Sequence, residues 1–193
     1  MTETAFDVEW EPELTKMESF GMRHGVKIEW PTMPQLNKLD IGKICKLKTI
    51  EFGYTSNLYE IRLGFTGGAK SVGLKTRVAQ SQTDTVQSTN LKSYSIDPTK
   101  RISDVYICQD AGAGNIYGVR LLDEFGEYLV NANWFESTDA QWKHFKIPAG
   151  KEIIGMHGTH DGDYIMSLGL TLWKPNPDAK LMLRESLEQP KFK

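Results

Sequence analysis

The stretch 147–174, IPAGKEIIGMHGTHDGDYIMSLGLTLWK, limits the folds open to this chain more than any other. Glu152 to His157 is a largely apolar run, Gly158 to Asp163 is a polar break, and in Tyr164 to Trp173 the residues Ile165, Leu168, Leu170 and Leu172 alternate imperfectly. That pattern predicts two strands joined by a loop. Gly158, Gly162 and the aspartates lie where the chain must reverse, because they tolerate positive φ or bond to their own backbone. Upstream, Ile44 to Phe52 and Leu58 to Phe65 are short β-type runs, Ser71 to Val78 is a third, and Leu91 to Ile96 returns to the sheet after the polar segment 80–90. Arg101 to Gln109, Ile116 to Phe125, Tyr128 to Trp134 and Trp142 to Ile147 continue the series. None of these shows a 3.6-residue period, so the residues predict an all-β fold.

A chain of 193 residues suffices for one domain of about 130–150 residues with extensions. Its formal net charge of -2 supplies no cationic surface for nucleic acid. No apolar run approaches the roughly 20 residues of a membrane helix, so no membrane insertion is expected. Cys45 and Cys108 sit inside apolar runs and read as buried free thiols. The opening MTETAFDVEWEPEL is acidic, without a basic and then apolar leader, which predicts an intracellular location.

The ends differ from the middle. Residues 1–40 carry Pro12, Pro31 and Pro34 and the aromatics Phe6, Trp10, Phe20 and Trp30 without periodicity, and are expected to form an irregular arm. Residues 175–193 form a tail in which Asp178 can cap a short helix over 179–189, with Leu183 and Leu187 on one face and Pro190 as its stop. A helix of about three turns is marginal unless it docks. Ordering the arm costs roughly 1–2 kcal/mol of backbone entropy per residue, which only apolar burial offsets. Trp10, Trp30, Phe6, Phe20, Leu183 and Leu187 are therefore the candidate residues for docking on other protein chains of a larger complex.

Several arrangements mimic chemistry. His157, His160, Asp161 and Asp163 could suggest zinc, but no cysteine or second histidine pair completes a tetrahedral set. The loop Asp110 to Asn115 lacks the alternating oxygen ligands of a calcium loop and reads as a turn. The glycines of GAGNIYG are not followed by a helix whose amino terminus could hold phosphate. Glu60, Asp123, Glu124, Glu127 and Asp161 could supply a glycosidase pair, yet they read as scattered solvated acids. No enzyme activity, metal or cofactor is expected.

The final stretch also resembles the last hairpin of the jacalin-like lectins. The matching residues are Lys151, Ile153, Ile154, Gly155, Met156, His157 and Gly158, then Gly162, Tyr164, Ile165, Leu168, Gly169 and Leu170. Ile44 to Phe65 resembles the family's opening hairpin and Arg101 to Gly126 its middle sheet. The resemblance implies a β-prism of three four-stranded sheets over residues 41–174. It also implies a shallow sugar pocket made by a glycine-rich loop near the domain's amino terminus and by the last hairpin loop. There a glycine, three residues and an aspartate present backbone N–H groups and one carboxylate. Counted from Gly162, the aspartate's position is Met166, and the region corresponding to the opening loop, 36–44, holds only Gly42. The expected function is thus a non-catalytic module with a degenerate sugar site, serving as a protein–protein interaction or structural subunit. The alternative is a carbohydrate-binding lectin with a pocket rearranged around Asp161, Gly162, Asp163, Tyr164 and Met166.

Overall fold

The computed structural model describes residues 13–22, 24–30, 46–66, 72–75, 91–112, 114–136, 138–178 and 180. Their strands are β1 (Leu14–Lys16), β2 (Phe20–Gly21), β3 (Val26–Trp30), β4 (Leu47–Tyr54), β5 (Leu58–Phe65), β6 (Val72–Lys75), β7 (Leu91–Ser95), β8 (Ile102–Asp110), β9 (Ile116–Asp123), β10 (Tyr128–Asn133), β11 (Ala140–Lys146), β12 (Glu152–His160) and β13 (Ile165–Trp173). All pairs are antiparallel, as short connections between consecutive strands require. Two sheets have four strands, in the orders β6-β5-β4-β7 and β10-β9-β8-β11, and in the third β1 and β2 flank β13 while β3 flanks β12. Each sheet is thus a central hairpin with an outer strand on either side.

The hairpins turn their apolar residues toward one shared core. Ile50 and Phe52 of β4, Val105 and Ile107 of β8, Val119 and Leu121 of β9, and Leu168 and Leu170 of β13 have no exposed surface. Leu63, Ile102, Ile153, Ile154 and Ile165, the other apolar residues matched in the strand runs, are buried with them. Burying such a side chain is worth about 1.5–3 kcal/mol, so a core drawn from three sheets holds them together more than any one hairpin does. The imperfect alternation of the last hairpin has a physical cause. Register shifts between Ile153 and Gly155 and between Thr159 and His160 change which residues face inward, so adjacent Ile153 and Ile154 are both buried.

The irregular arm is corrected over residues 14–30. β1 pairs with Thr171 to Trp173 and β2 with Ser167 and Leu168, both along one edge of β13, while β3 pairs with Met156 to His160 along the free edge of β12. β1 and β2 are one outer strand broken at 17–19, so the third sheet also has four strand positions. Sequence periodicity misses them because runs of three, two and five residues are too short to display a period. Phe20 and Leu14 pack against the chain's own core, and Trp30 ends β3 opposite Met156. Phe20 therefore finds its apolar surface in cis. Phe6, Trp10, Leu183 and Leu187 lie outside the described residues, as does Cys45, while Cys108 is a buried free thiol.

At the carboxyl end the expected cap moves. Asn176, not Asp178, accepts the turn's N–H groups: its Oδ1 takes Asp178 N at 3.0 Å and its carbonyl takes Lys180 N at 3.2 Å. One helical turn is present there; no helix is supported beyond it, and 181–189 lie outside the described residues.

Candidate functional site

Between β2 and β3 the chain passes from one edge of the third sheet to the other, beside the loop that joins β12 and β13. The described ends of this crossing carry Gly21 and Gly25, while residues 36–44, the region that corresponds to the glycine-rich loop of the resemblance, lie outside the described residues. Both glycines are required by geometry. Gly21 has φ +125 and an added Cβ would lie 2.3 Å from the Met166 carbonyl oxygen; Gly25 has φ +111 and its Cβ would lie 2.4 Å from the His160 carbonyl oxygen. Only a residue without a side chain lets the backbones approach so closely. The signal in the sequence is two glycines four residues apart, inside a segment that otherwise reads as an irregular arm.

Polar contacts seat the crossing. Met22 N donates to the Met166 carbonyl at 3.0 Å, and the Thr159 hydroxyl donates to the Met22 carbonyl at 2.7 Å. Ser167 Oγ lies 2.8 Å from Thr159 Oγ1 and completes this buried chain. The Met22 side chain lies over the β8–β9 loop, where a Cβ on Gly114 would come within 2.4 Å of Met22 Cγ.

The hairpin loop is closed on itself. Asp161 Oδ1 accepts Asp163 N and Tyr164 N, both at 2.8 Å, and Asp161 N donates to the Tyr164 carbonyl at 3.2 Å. Gly162 N donates to His160 Nδ1 at 3.0 Å. The N–H groups of Asp161, Gly162, Asp163 and Tyr164 are thus all directed into the loop. Of the five residues expected for a sugar pocket, Asp161, Gly162, Asp163 and Tyr164 form a self-capped turn. Met166 follows in β13, with its carbonyl held by Met22 and a side chain that offers no charged acceptor.

His157 and the acids Glu60, Asp123 and Glu127 have structural partners. His157 Nε2 donates to the Met17 carbonyl at 2.8 Å and the Thr171 hydroxyl donates to Nδ1 at 3.3 Å. Burial holds this imidazole below its usual pKa, consistent with a neutral ring that needs one donor and one acceptor. Glu60 pairs with Arg62 at 2.6 Å, and Lys100 bonds both Asp123 at 2.9 Å and Glu127 at 3.0 Å. The Lys100 hydrogen bond first, and the N–H groups of Glu127 and Phe125 after it, hold the Asp123 carboxyl below its ordinary pKa. A carboxyl whose folded pKa is depressed stabilises the fold above the unfolded value, and that contribution is lost as pH falls through the folded value. Asp123→Asn is therefore expected to lower the melting temperature at neutral pH. Its deficit should shrink as the pH is lowered through about 4, the unfolded carboxyl range; a gap that is constant with pH would contradict the assignment.

Three antiparallel sheets around one core, with amino-terminal strands completing the last, define a β-prism. Comparison with solved structures places the chain among the jacalin-like folds. A mannose-binding lectin from Champedak superposes with a TM-score of 0.53 at 11% identity, over 83% of this chain and 96% of that one. Malaysian banana lectin gives 0.54 at 14% identity over 85% and 100%, and single-chain recombinant jacalin gives 0.54 at 11% identity over 87% and 99%. No family model and no curated protein matches the sequence. The fold is the jacalin-like β-prism, and the solved neighbours are lectins.

Proposed function

We propose that this chain is a non-catalytic binding module of jacalin-like fold whose last-hairpin pocket is closed to simple sugars, and that it serves as an interaction subunit for other protein chains. The observation that carries the reading is Asp161. Its carboxylate holds the loop N–H groups that a sugar would need, while Met166 stands where the resemblance implies the acceptor. A sugar would have to break two hydrogen bonds to a charged group, each worth about 1.5–3 kcal/mol, for a typical lectin energy near -4 kcal/mol at about 1 mM.

A second reading, a lectin with a rearranged pocket, is favoured by the crossing at 21–25, which puts backbone beside the loop, and by neighbours described as mannose-binding. A glycan array separates the two. No competable binding to mannose, galactose or their glycosides is expected. Met166→Asp, which restores the acceptor but leaves the Asp161 cap, should remain inactive, whereas Asp161→Ala with Met166→Asp frees the donors as well. Robust parental binding to a neutral monosaccharide that Met166→Asp alters would overturn the closed-pocket reading.

A further inference from the structure

Outside the hairpin loop, the third sheet carries an open groove on its solvent face. Lys16, Ser19, Lys27, Glu29, His157 and Thr159 are the polar residues lining about 300 Å³, a volume at the small end of ligand clefts. Its form follows from the outer strands. His157, opposite Gly169 in β12–β13, lays its ring across that glycine, where a Cβ would come within 2.6 Å of Nε2 and 2.9 Å of Ser19 Cα. The broken strand at 17–19 can therefore arch over the sheet and form one wall, while β3 forms the other. Lys16 of β1 and Glu29 of β3 join in an ion pair across the groove.

The chemistry of the lining is mixed and fixed. His157 and Thr159 are committed to Met17, Thr171, Met22 and Ser167, so they form a rigid floor. Glu29 supplies an acceptor and is matched by Lys16. Lys27, opposite Thr159 and exposed, has no ion-pair partner among the described residues, so the lining holds two ammonium groups against one carboxylate. A polar cleft with both donors and acceptors suits a polyhydroxylated ring, and the surplus cation suits an anionic substituent on it.

We propose that this groove, rather than the last-hairpin loop, is the chain's saccharide site, and that it takes a sugar ring bearing a carboxylate, held by Lys27 with ring hydroxyls on Glu29 and Ser19. The site lies on the sheet's outer face and needs no opening of the Asp161 turn.

Titration calorimetry and imidazole-resolved NMR with a glucuronate-containing oligosaccharide, its neutral glucose counterpart and free glutamate test it. The expected result is uronate binding at least about tenfold tighter than the neutral sugar, with the His157 ring signals shifting. Lys27→Glu should abolish that preference while leaving the melting temperature unchanged, since Lys27 is exposed and makes no ion pair among the described residues; Met166→Asp should leave it intact. Equal binding of neutral and acidic sugars, glutamate binding as tightly as the uronate, an undiminished preference in Lys27→Glu, or no binding at all would each overturn the groove assignment. Only neutral-sugar binding that responds to Met166→Asp would also overturn the closed-loop reading.

Discussion

Replacing Trp173 with alanine is expected to destabilise the protein by about 3–5 kcal/mol, the usual cost of deleting a buried aromatic side chain. Trp173 is the largest of the fully buried side chains and closes β13, paired with Glu152 on one side and Leu14 on the other. Its removal opens a cavity where the amino-terminal strand joins the core, so backbone collapse from β12 alone cannot fill it. Against a typical domain stability of about 5–15 kcal/mol the loss is large enough to leave the variant marginal. Chemical denaturation measures it, with Phe125→Ala as the control, because Phe125 is 79% exposed at a hairpin tip and its truncation is expected to stay within about 0.5 kcal/mol. A Trp173→Ala midpoint indistinguishable from the parent would mean that the third sheet does not carry core energy.

What can be read from residues alone is the part encoded by sustained alternation. The hairpin strands β4, β5, β8, β9, β12 and β13 are eight or nine residues long, enough for a period of two to show, and their apolar members are the core. The outer strands β1, β2 and β3 are specified differently. Their pairing is set by the free edges of β12 and β13 and by small residues on the sheet's solvent face, and none of that is local in sequence. The same holds for the site. That Met166 stands where the resemblance implies an acceptor can be counted off from Gly162, whereas the occupation of the loop donors by Asp161 depends on side-chain geometry. The crossing at Gly21 to Gly25 stays hidden because positive φ leaves no mark beyond the residue type.

The arm's placement also limits where the chain can dock. Phe20, Leu14, Met17 and Ile28 could be interface residues only if 13–30 lacked a surface, and the structure packs all four against the chain's own core. An interaction role for this module must then rest on the prism's exposed faces or on residues outside those described. The exposed large side chains Phe125, Tyr128, Phe135, Met22 and Val26 are the apolar positions such a face has to offer among the described residues.

Gly158→Ala is expected to cost about 3 kcal/mol, the upper end for overpacking a close-packed site. The added Cβ would lie 1.9 Å from the Ser167 carbonyl oxygen, 2.7 Å from its carbon and 3.3 Å from Leu168 Cα. These are backbone atoms of a hydrogen-bonded ladder, so no rotamer change relieves the contact and the strands must part. Gly158 pairs with Leu168 on one side and with Ile28 on the other, so the displacement is transmitted to β3, which among the described residues has no further neighbour within its sheet to hold it. Hydrogen exchange should accordingly show the amides of Val26 to Trp30 losing protection well before those of β8 and β9. Gly126→Ala is the instructive contrast: its φ of +81 imposes strain of about 1–2 kcal/mol on an alanine, but its Cβ would meet nothing within 4 Å. If Gly158→Ala proved no more costly than Gly126→Ala, or if β3 kept its protection, the close approach that fixes the amino-terminal strand on the last hairpin would not exist.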